Sequence, residues 1–432
     1  MNFKPRNFSR YQQQSVKPTA PRAQPNRTPE MQRIPMGVEV KIEQYIEAAL
    51  GADWKQAQMP RMRDEILKLK KRYWNFSGTS YGMWPTLAYL AYHFPAYYCQ
   101  MRNVYSNLLS CGIIKEKMRI LEVGAGTGAP ARAFADFLPE VIQAEYDALE
   151  PYDDSVKAMK FILDGANPLC KFNFIEKPIE QFTPTAKYDL ILMANVASEL
   201  RNPEEAISKL MENFIAPGGS LVVVEPAELR ISTQLREMQR AFHKKYTVFA
   251  PCTYLWGPRC EGRCWSFVQV PDIAPTKLQR EISNGEKALM NVDIKYSHFI
   301  LRKGGAPLKK FRGNPRMDAR MMDMERHVER RINLTCAKMS GNLSENTNLF
   351  KICDGSARHE HYAVLNPRDV SESNRGLIDA EYGEILRFRN VLVLESKKEN
   401  AYNLVIGKNT EVERLEKPRL KRKFEDEDGE DF

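Results

Sequence analysis

Two groups of residues in this chain have the types and spacing that chemistry needs. The first is Gly124, Gly126 and Gly128 in the string E V G A G T G, followed about twenty residues on by Glu150. Glycine accepts positive φ and lets the backbone approach a ligand closely, and a carboxylate at the end of a following strand can take hydrogen bonds from both hydroxyls of a ribose. The second is Cys252, Cys260 and Cys264, within thirteen residues of a segment broken by Pro251, Gly257, Pro258 and Gly262. Three thiolates so placed can converge on one metal centre. The spacing leaves zinc, an iron–sulfur cluster and ordinary thiols all open, and a fourth ligand would come from Cys336 or Cys353.

Elements must hold these residues in place. Ile120, Leu121 and Val123 make a short apolar run suited to a strand buried on both faces, and the glycines follow at once. A helix from about Pro130 opens on free N–H groups, and the next strand ends at Glu150. The pattern continues with a helix at 155–163, a strand at 172–176, a buried strand at 188–193 ending on Ala194 and Asn195, a helix at 203–214, and a turn and fifth strand at 216–226. Glu122, two residues before the first glycine, stands where dinucleotide folds usually have an apolar residue. The E V G A G T G string and the Pro-Gly-Gly at 217–219 resemble class I S-adenosylmethionine methyltransferases. The expected fold is therefore α/β, a Rossmann-like methyltransferase sheet with an N-terminal helical region and a small C-terminal β domain.

The remainder divides by composition. The chain has 432 residues, a net charge of +9 and eight cysteines, so two or three domains and a polyanionic partner are expected. Residues 1–36 carry Arg and Lys with no acid before Glu30, which suits either a mitochondrial transit peptide or a basic arm held open by its prolines. Residues 37–115 read as a helical cap in which Pro95 breaks a long apolar segment. The sheet domain spans 116–303, with 266–270 and 294–301 as its closing hairpin. A basic connector at 304–331, including Lys309, Lys310, Arg312 and Arg316, is either a solvated linker or a phosphate-binding face. A small β domain at 332–410, a separate barrel or sheet for which an OB type would suit nucleic acid, precedes a charged tail at 411–432 whose basic half resembles a nuclear import signal.

Laid out together, F P A Y, E V G A G T G, L V V V E P, the A P C segment with C W S F, L F K I C D G and E Y G E I L resemble the methyltransferase-like family associated with assembly of the mitochondrial ribosomal small subunit, which has bacterial relatives. The resemblance covers about residues 85–390. It implies an S-adenosylmethionine site at Glu122, Gly124, Gly126, Gly128, Glu150 and Asn195. It also implies a [4Fe-4S] cluster on Cys252, Cys260, Cys264 and Cys353, small-subunit rRNA and ribosomal proteins as partners, and a place in the mitochondrial matrix. Amino-methylating enzymes carry N P P Y or a close variant after the fourth strand; this chain has A N V A S E instead, leaving Asn195 and Glu199 as the polar groups for an acceptor base. Two functions stand: an rRNA methyltransferase, or an assembly factor that binds without catalysing.

Overall fold

The computed structural model describes residues 32–75, 82–137, 142–257, 260, 264–304, 311–398 and 400–415, without the side chains of 72–75. The expected N-terminal arm up to residue 31, Lys309 and Lys310, and the tail from 416 lie outside the described residues. Among the described residues no helix is long and apolar enough to cross a membrane.

The helical region holds α1 (Met36–Leu50), α2 (Trp54–Ala57), α3 (Met59–Asn75), α4 (Met83–Tyr92) and α5 (Phe94–Ser110). In α1, Val38, Ile42 and Ile46 recur four apart and form its buried face. The break at Pro95 falls where expected. The helix ends at Tyr92, and Pro95 enters the first turn of α5, where its missing N–H costs nothing. Helix α5 is buried almost throughout, and its tyrosines tie the cap to the sheet domain. Tyr98 donates to Asp136 Oδ2 at 2.8 Å, and Tyr105 donates to the carbonyl of Pro130 at 3.1 Å.

The sheet domain follows as β1 (Lys117–Val123), α6 (Ala129–Phe137), β2 (Gln143–Leu149), α7 (Asp153–Leu163), β3 (Cys170–Ile175), β4 (Tyr188–Ala194), α8 (Pro203–Lys209), β5 (Ile215–Pro226), α9 (Leu229–His243), β6 (Thr247–Ala250), β7 (Val268–Val270), α10 (Lys277–Ser283) and β8 (Ile294–Arg302). Its order is β3-β2-β1-β4-β5-β8-β6, with β7 paired onto β8. The five strands from β3 to β5 are parallel, and the period of two sends alternate residues to opposite cores. Ile120, Leu190, Leu192, Val222 and Val224 pack on one side; Leu121, Ile191, Met193, Leu221 and Val223 pack on the other. A dinucleotide fold would continue in parallel as 3-2-1-4-5-6. Here β8 is wedged in antiparallel between β5 and β6, and this is the class I methyltransferase sheet.

Strands β7 and β8 do pair antiparallel, but not as a hairpin, because α10 lies between them. Sequence reading also missed β6 and α9. Helix α9 has an apolar stripe of Ile231, Leu235, Met238 and Phe242, yet Ser232, Arg236 and Gln239 are buried beside it, and those polar residues hide the period.

The C-terminal domain comprises β9 (Arg331–Lys338), β10 (Asn348–Cys353), β11 (Glu360–Leu365), α11 (Gly376–Asp379), β12 (Ile385–Glu395), β13 (Ala401–Ile406) and β14 (Glu411–Arg414). Strands β9 to β13 close into a five-stranded barrel through the β12–β13 pairing, while β14 extends the edge of β12. Taken in chain order as one to five, the strands run 1-2-3-5-4-1, and the third and fifth pair in parallel. That is the OB connectivity. Two expected boundaries shift as a result. Strand β14 lies inside the span read as tail. Met321 and Met324, inside the span read as a connector, are buried in the barrel's core, where two apolar side chains outweigh the surrounding charge.

Candidate functional site

The glycine loop sits at the C-terminal end of β1, where ligands bind in open parallel sheets. Gly124, Gly126 and Gly128 all have positive φ. A Cβ on Gly124 would stand 2.5 Å from Val196 Cγ2, and one on Gly128 would stand 2.8 Å from Met159 Cγ, so those two glycines are dictated by packing. Gly126 meets no atom within 4 Å. It faces the open space a ligand would fill.

Glu150 follows β2 directly and is 4% exposed. Its Oε2 accepts the N–H of Gly126 at 2.8 Å, and its Oε1 accepts that of Tyr152 at 3.2 Å. The carboxylate that sequence assigns to a ribose thus also braces the loop above it. Burial raises its pKa to about 7 against the pull of those two N–H groups. Glu122 is wholly buried in β1. Tyr146 donates to its Oε2 at 2.7 Å, while Oε1 has no partner. Burial pushes this carboxyl up to about 8, so it carries a proton at neutral pH.

At the end of β4, Asn195 is held at φ 57°, its N–H bonded to the carbonyl of Val224 at 2.8 Å. Its Nδ2 reaches Gln100 Oε1 at 3.4 Å, and Asn195 Oδ1, Gln100 Nε2 and Thr127 Oγ1 are buried without partners. Buried polar atoms are normally satisfied, so this cluster fits a polar ligand. Glu225, which sequence reading missed, lies buried behind the turn after β4. Its Oε1 accepts the N–H groups of Ala197 at 2.7 Å and Ser198 at 3.3 Å, and its Oε2 accepts the Ser198 hydroxyl at 2.7 Å. The turn after β4 is tied down by a carboxylate that burial raises to about 7.

The cysteines gather elsewhere. Cys252, Cys260 and Cys264 line one recess together with Cys353 from the barrel, Arg236, Gln239 and Arg240 from α9, and Tyr254 and Gly355. Residues 258–259 and 261–263 of the intervening loop lie outside the described residues. Gln239 Nε2 donates to Cys252 Sγ at 2.9 Å, and the N–H of Gly355 donates to Cys353 Sγ at 3.3 Å. Burial pushes the Cys252 thiol up to about 11 and raises Cys353 as well, with the neighbouring cysteines adding to it. Among the described residues no group of three or more His, Cys, Asp or Glu is placed to hold a metal ion. Cys336, the other candidate, is buried in the barrel core and takes no part in the recess.

The basic stretch divides. Arg312 and Arg316 are exposed, and Arg320 stacks 4.6 Å over the ring of Trp256. An open groove runs along Leu255, Trp256, Gly257, Arg312, Gly313, Pro315 and Arg320.

Comparison with known proteins agrees with the sheet. Residues 93–268 match the family model described as a methyltransferase domain, and residues 322–415 match one described as the C-terminal domain of a domain of unknown function. Fusarielin synthase from Gibberella zeae is 32% identical over 127 residues, 28% of this chain and 5% of that protein. Malonyl-[acyl-carrier protein] O-methyltransferase 2 from Ilyobacter polytropus is 29% identical over 108 residues, 25% of this chain and 39% of that protein. The chain therefore spans well under half the length of these curated relatives. The solved structure of N-methyltransferase NodS from Bradyrhizobium japonicum with S-adenosyl-l-homocysteine aligns at 15% identity over 47% of this chain and 87% of that one, at a TM-score of 0.31, too loose to carry an argument.

Two outcomes test this geometry. Gly126→Arg should abolish S-adenosylmethionine binding in calorimetry, and Glu150→Ala should weaken it by ~1.5–3 kcal/mol, the range for hydrogen bonds to a charged group. Unchanged affinity in Glu150→Ala would remove it from the ribose. Glu122 gives a pH dependence. Its folded pKa of about 8 lies above the ordinary 4.5, so the folded state keeps a proton that the unfolded chain releases, and stability falls as pH rises through that window. Glu122→Gln lacks this loss. Its stability, read from the melting temperature, should gain on the wild type as pH rises from 5 to 8, and a pH-independent difference would refute the assignment.

Proposed function

We propose that this chain is an assembly factor of the mitochondrial small ribosomal subunit that binds rRNA and holds S-adenosylmethionine and a [4Fe-4S] cluster as structural elements, methyl transfer having been lost. The observation that carries the reading is the recess where three cysteines of the methyltransferase domain meet Cys353 of the barrel. A zinc ion would require all four sulfurs at about 2.3 Å from one point. A cluster binds each sulfur to a separate iron, which suits sulfurs arrayed around a recess and the irregular spacing of Cys252, Cys260 and Cys264.

S-adenosylmethionine, when bound, supplies a sulfonium methyl group. Glu150, Gly126 and Asn195 are the residues placed to hold it. Loss of transfer is supported by the turn after β4, where A N V A S E replaces a proline-bearing acceptor motif and Glu225 occupies the N–H groups of Ala197 and Ser198. The rRNA reading rests on the OB barrel and the exposed arginines beside the Trp256 groove. Ribosomal proteins of the same subunit are the neighbours such a factor would meet, and the acid-free start suits import into the matrix. A second reading, an active rRNA methyltransferase, is favoured by the unpartnered Asn195 Oδ1 and Gln100 Nε2, which could hold an acceptor base.

The deciding experiment combines rRNA binding with methyl transfer on small-subunit particles, followed by base-resolution mapping. Binding without a new methylated base is expected, and a mapped methyl group would establish the enzyme instead. Reversing the charges of Arg312 and Arg316 should flatten the salt dependence of binding by roughly one unit of log–log slope per lost phosphate contact; an unaltered slope would make the stretch a spacer.

Because such a centre barely exists in the unfolded chain, its binding energy contributes to folding. Cys353→Ser should lose iron and sulfide, open the barrel to protease and weaken rRNA binding, while calorimetry still detects S-adenosylmethionine. Cys336→Ser should keep its iron. The opposite pair of results would move the fourth ligand into the barrel core.

A further inference from the structure

We infer that Arg236, acting with Gln239, is the buried counter-ion of the four-cysteine centre and raises its reduction potential, an inference that rests on reading that recess as a cluster site. Arg236 is 2% exposed, midway along α9. Its Nη1 donates to Gln239 Oε1 at 2.6 Å and to the carbonyl of His298 at 2.8 Å, whereas Nε and Nη2 are buried without a partner. Both acceptors are neutral. Among the described residues Arg236 has no recorded ion pair with Asp or Glu, and the nearby ring of Tyr382 gives its hydroxyl hydrogen to Ser266.

An interior guanidinium without an anion is strongly disfavoured, so the position requires negative charge nearby. The recess lined by Arg236 offers one source, the sulfurs of Cys252, Cys260, Cys264 and Cys353 once they bind a cluster as thiolates. Gln239 connects the two. It takes the Arg236 proton donor on Oε1 and gives its own N–H to Cys252 Sγ at 2.9 Å and to Tyr254 Oη at 3.3 Å. One amide thus bridges the guanidinium and Cys252 Sγ.

A cluster held by four thiolates carries net negative charge, and accepting one electron makes it more negative. A fixed cation in a poorly solvated pocket favours that reduced form, as do hydrogen bonds to the sulfurs. Arg236 and Gln239 are thus positioning residues for the centre, three apart on one face of α9, and neither binds iron.

The test uses the full chain purified anaerobically. Iron and acid-labile sulfide in the wild type come first; their absence, or zinc in their place, would sink the cluster reading itself. With a cluster present, a one-electron potentiometric titration compares wild type, Arg236→Met and Arg236→Lys. Arg236→Met should disfavour reduction at least tenfold, a shift of about 59 mV to more negative potential, and Arg236→Lys should recover most of it. Should Arg236→Met fail to load, loading restored in Arg236→Lys supports the charge, while failure of both shows that the guanidinium's shape matters and overturns the inference. Equal potentials in all three proteins overturn it while leaving the cluster reading intact.

Discussion

A close backbone approach between the two domains determines where most of the functional side chains fall. Gly355, at φ +81°, passes Tyr254 so tightly that a Cβ would stand 2.7 Å from Tyr254 Cα and 2.9 Å from its nitrogen. On either side the chain is stitched by Leu255 N–H to the carbonyl of Asp354 at 3.1 Å and Gly313 N–H to the carbonyl of Leu255 at 2.9 Å. Asp354 also accepts the N–H of Met321 at 2.9 Å and that of Ser356 at 2.8 Å, drawing the start of the barrel onto the same seam. Cys353 precedes that aspartate by one residue and Cys252 precedes Tyr254 by two. Their convergence on one recess follows from the seam, and so does the Trp256 groove on its outer side.

The cofactor end of the sheet rests on a different device, three buried carboxyls at the ends of β1, β2 and β5. Glu122, Glu150 and Glu225 are all raised by loss of hydration. Their partners differ. Glu150 and Glu225 collect backbone N–H groups from loops, which favours the anion and fixes those loops. Glu122 has one phenol and an unpartnered oxygen, which favours the neutral acid. Loops at this end therefore have little freedom left to lose when a ligand binds, which lowers the entropy cost of binding.

The parts legible in the sequence were those with a strong local signal. Buried parallel strands announce themselves as apolar runs, and the glycines mark the turn after β1, so β1 to β5 were placed within a few residues. Helix α9 was invisible because Arg236 and Gln239 interrupt its stripe; a charged residue at an apolar period is itself the signal that was passed over. The fourth cysteine was ambiguous for a similar reason. Ile332, Leu334 and Cys336 share one face of β9 by the period of two, which already points Cys336 into the barrel core where it is found. The hydrophobic weight of Met321 and Met324 was lost among arginines. The meeting of distant segments at the seam has no local signal at all.

One short segment serves both sites. Glu225 ends β5 and fixes the turn beside Asn195, Glu228 then caps α9 by accepting the N–H of Ile231 at 3.0 Å, and the same helix carries Arg236 and Gln239 to the cysteines. A shared element is not by itself a switch, because a switch needs two arrangements that the sites favour unequally. Strand β5 is paired on both edges and covered on both faces, and α9 buries its stripe against it. That packing offers a single arrangement. The segment therefore acts as a common footing, holding the turn beside Asn195 and the cysteine recess in fixed relation.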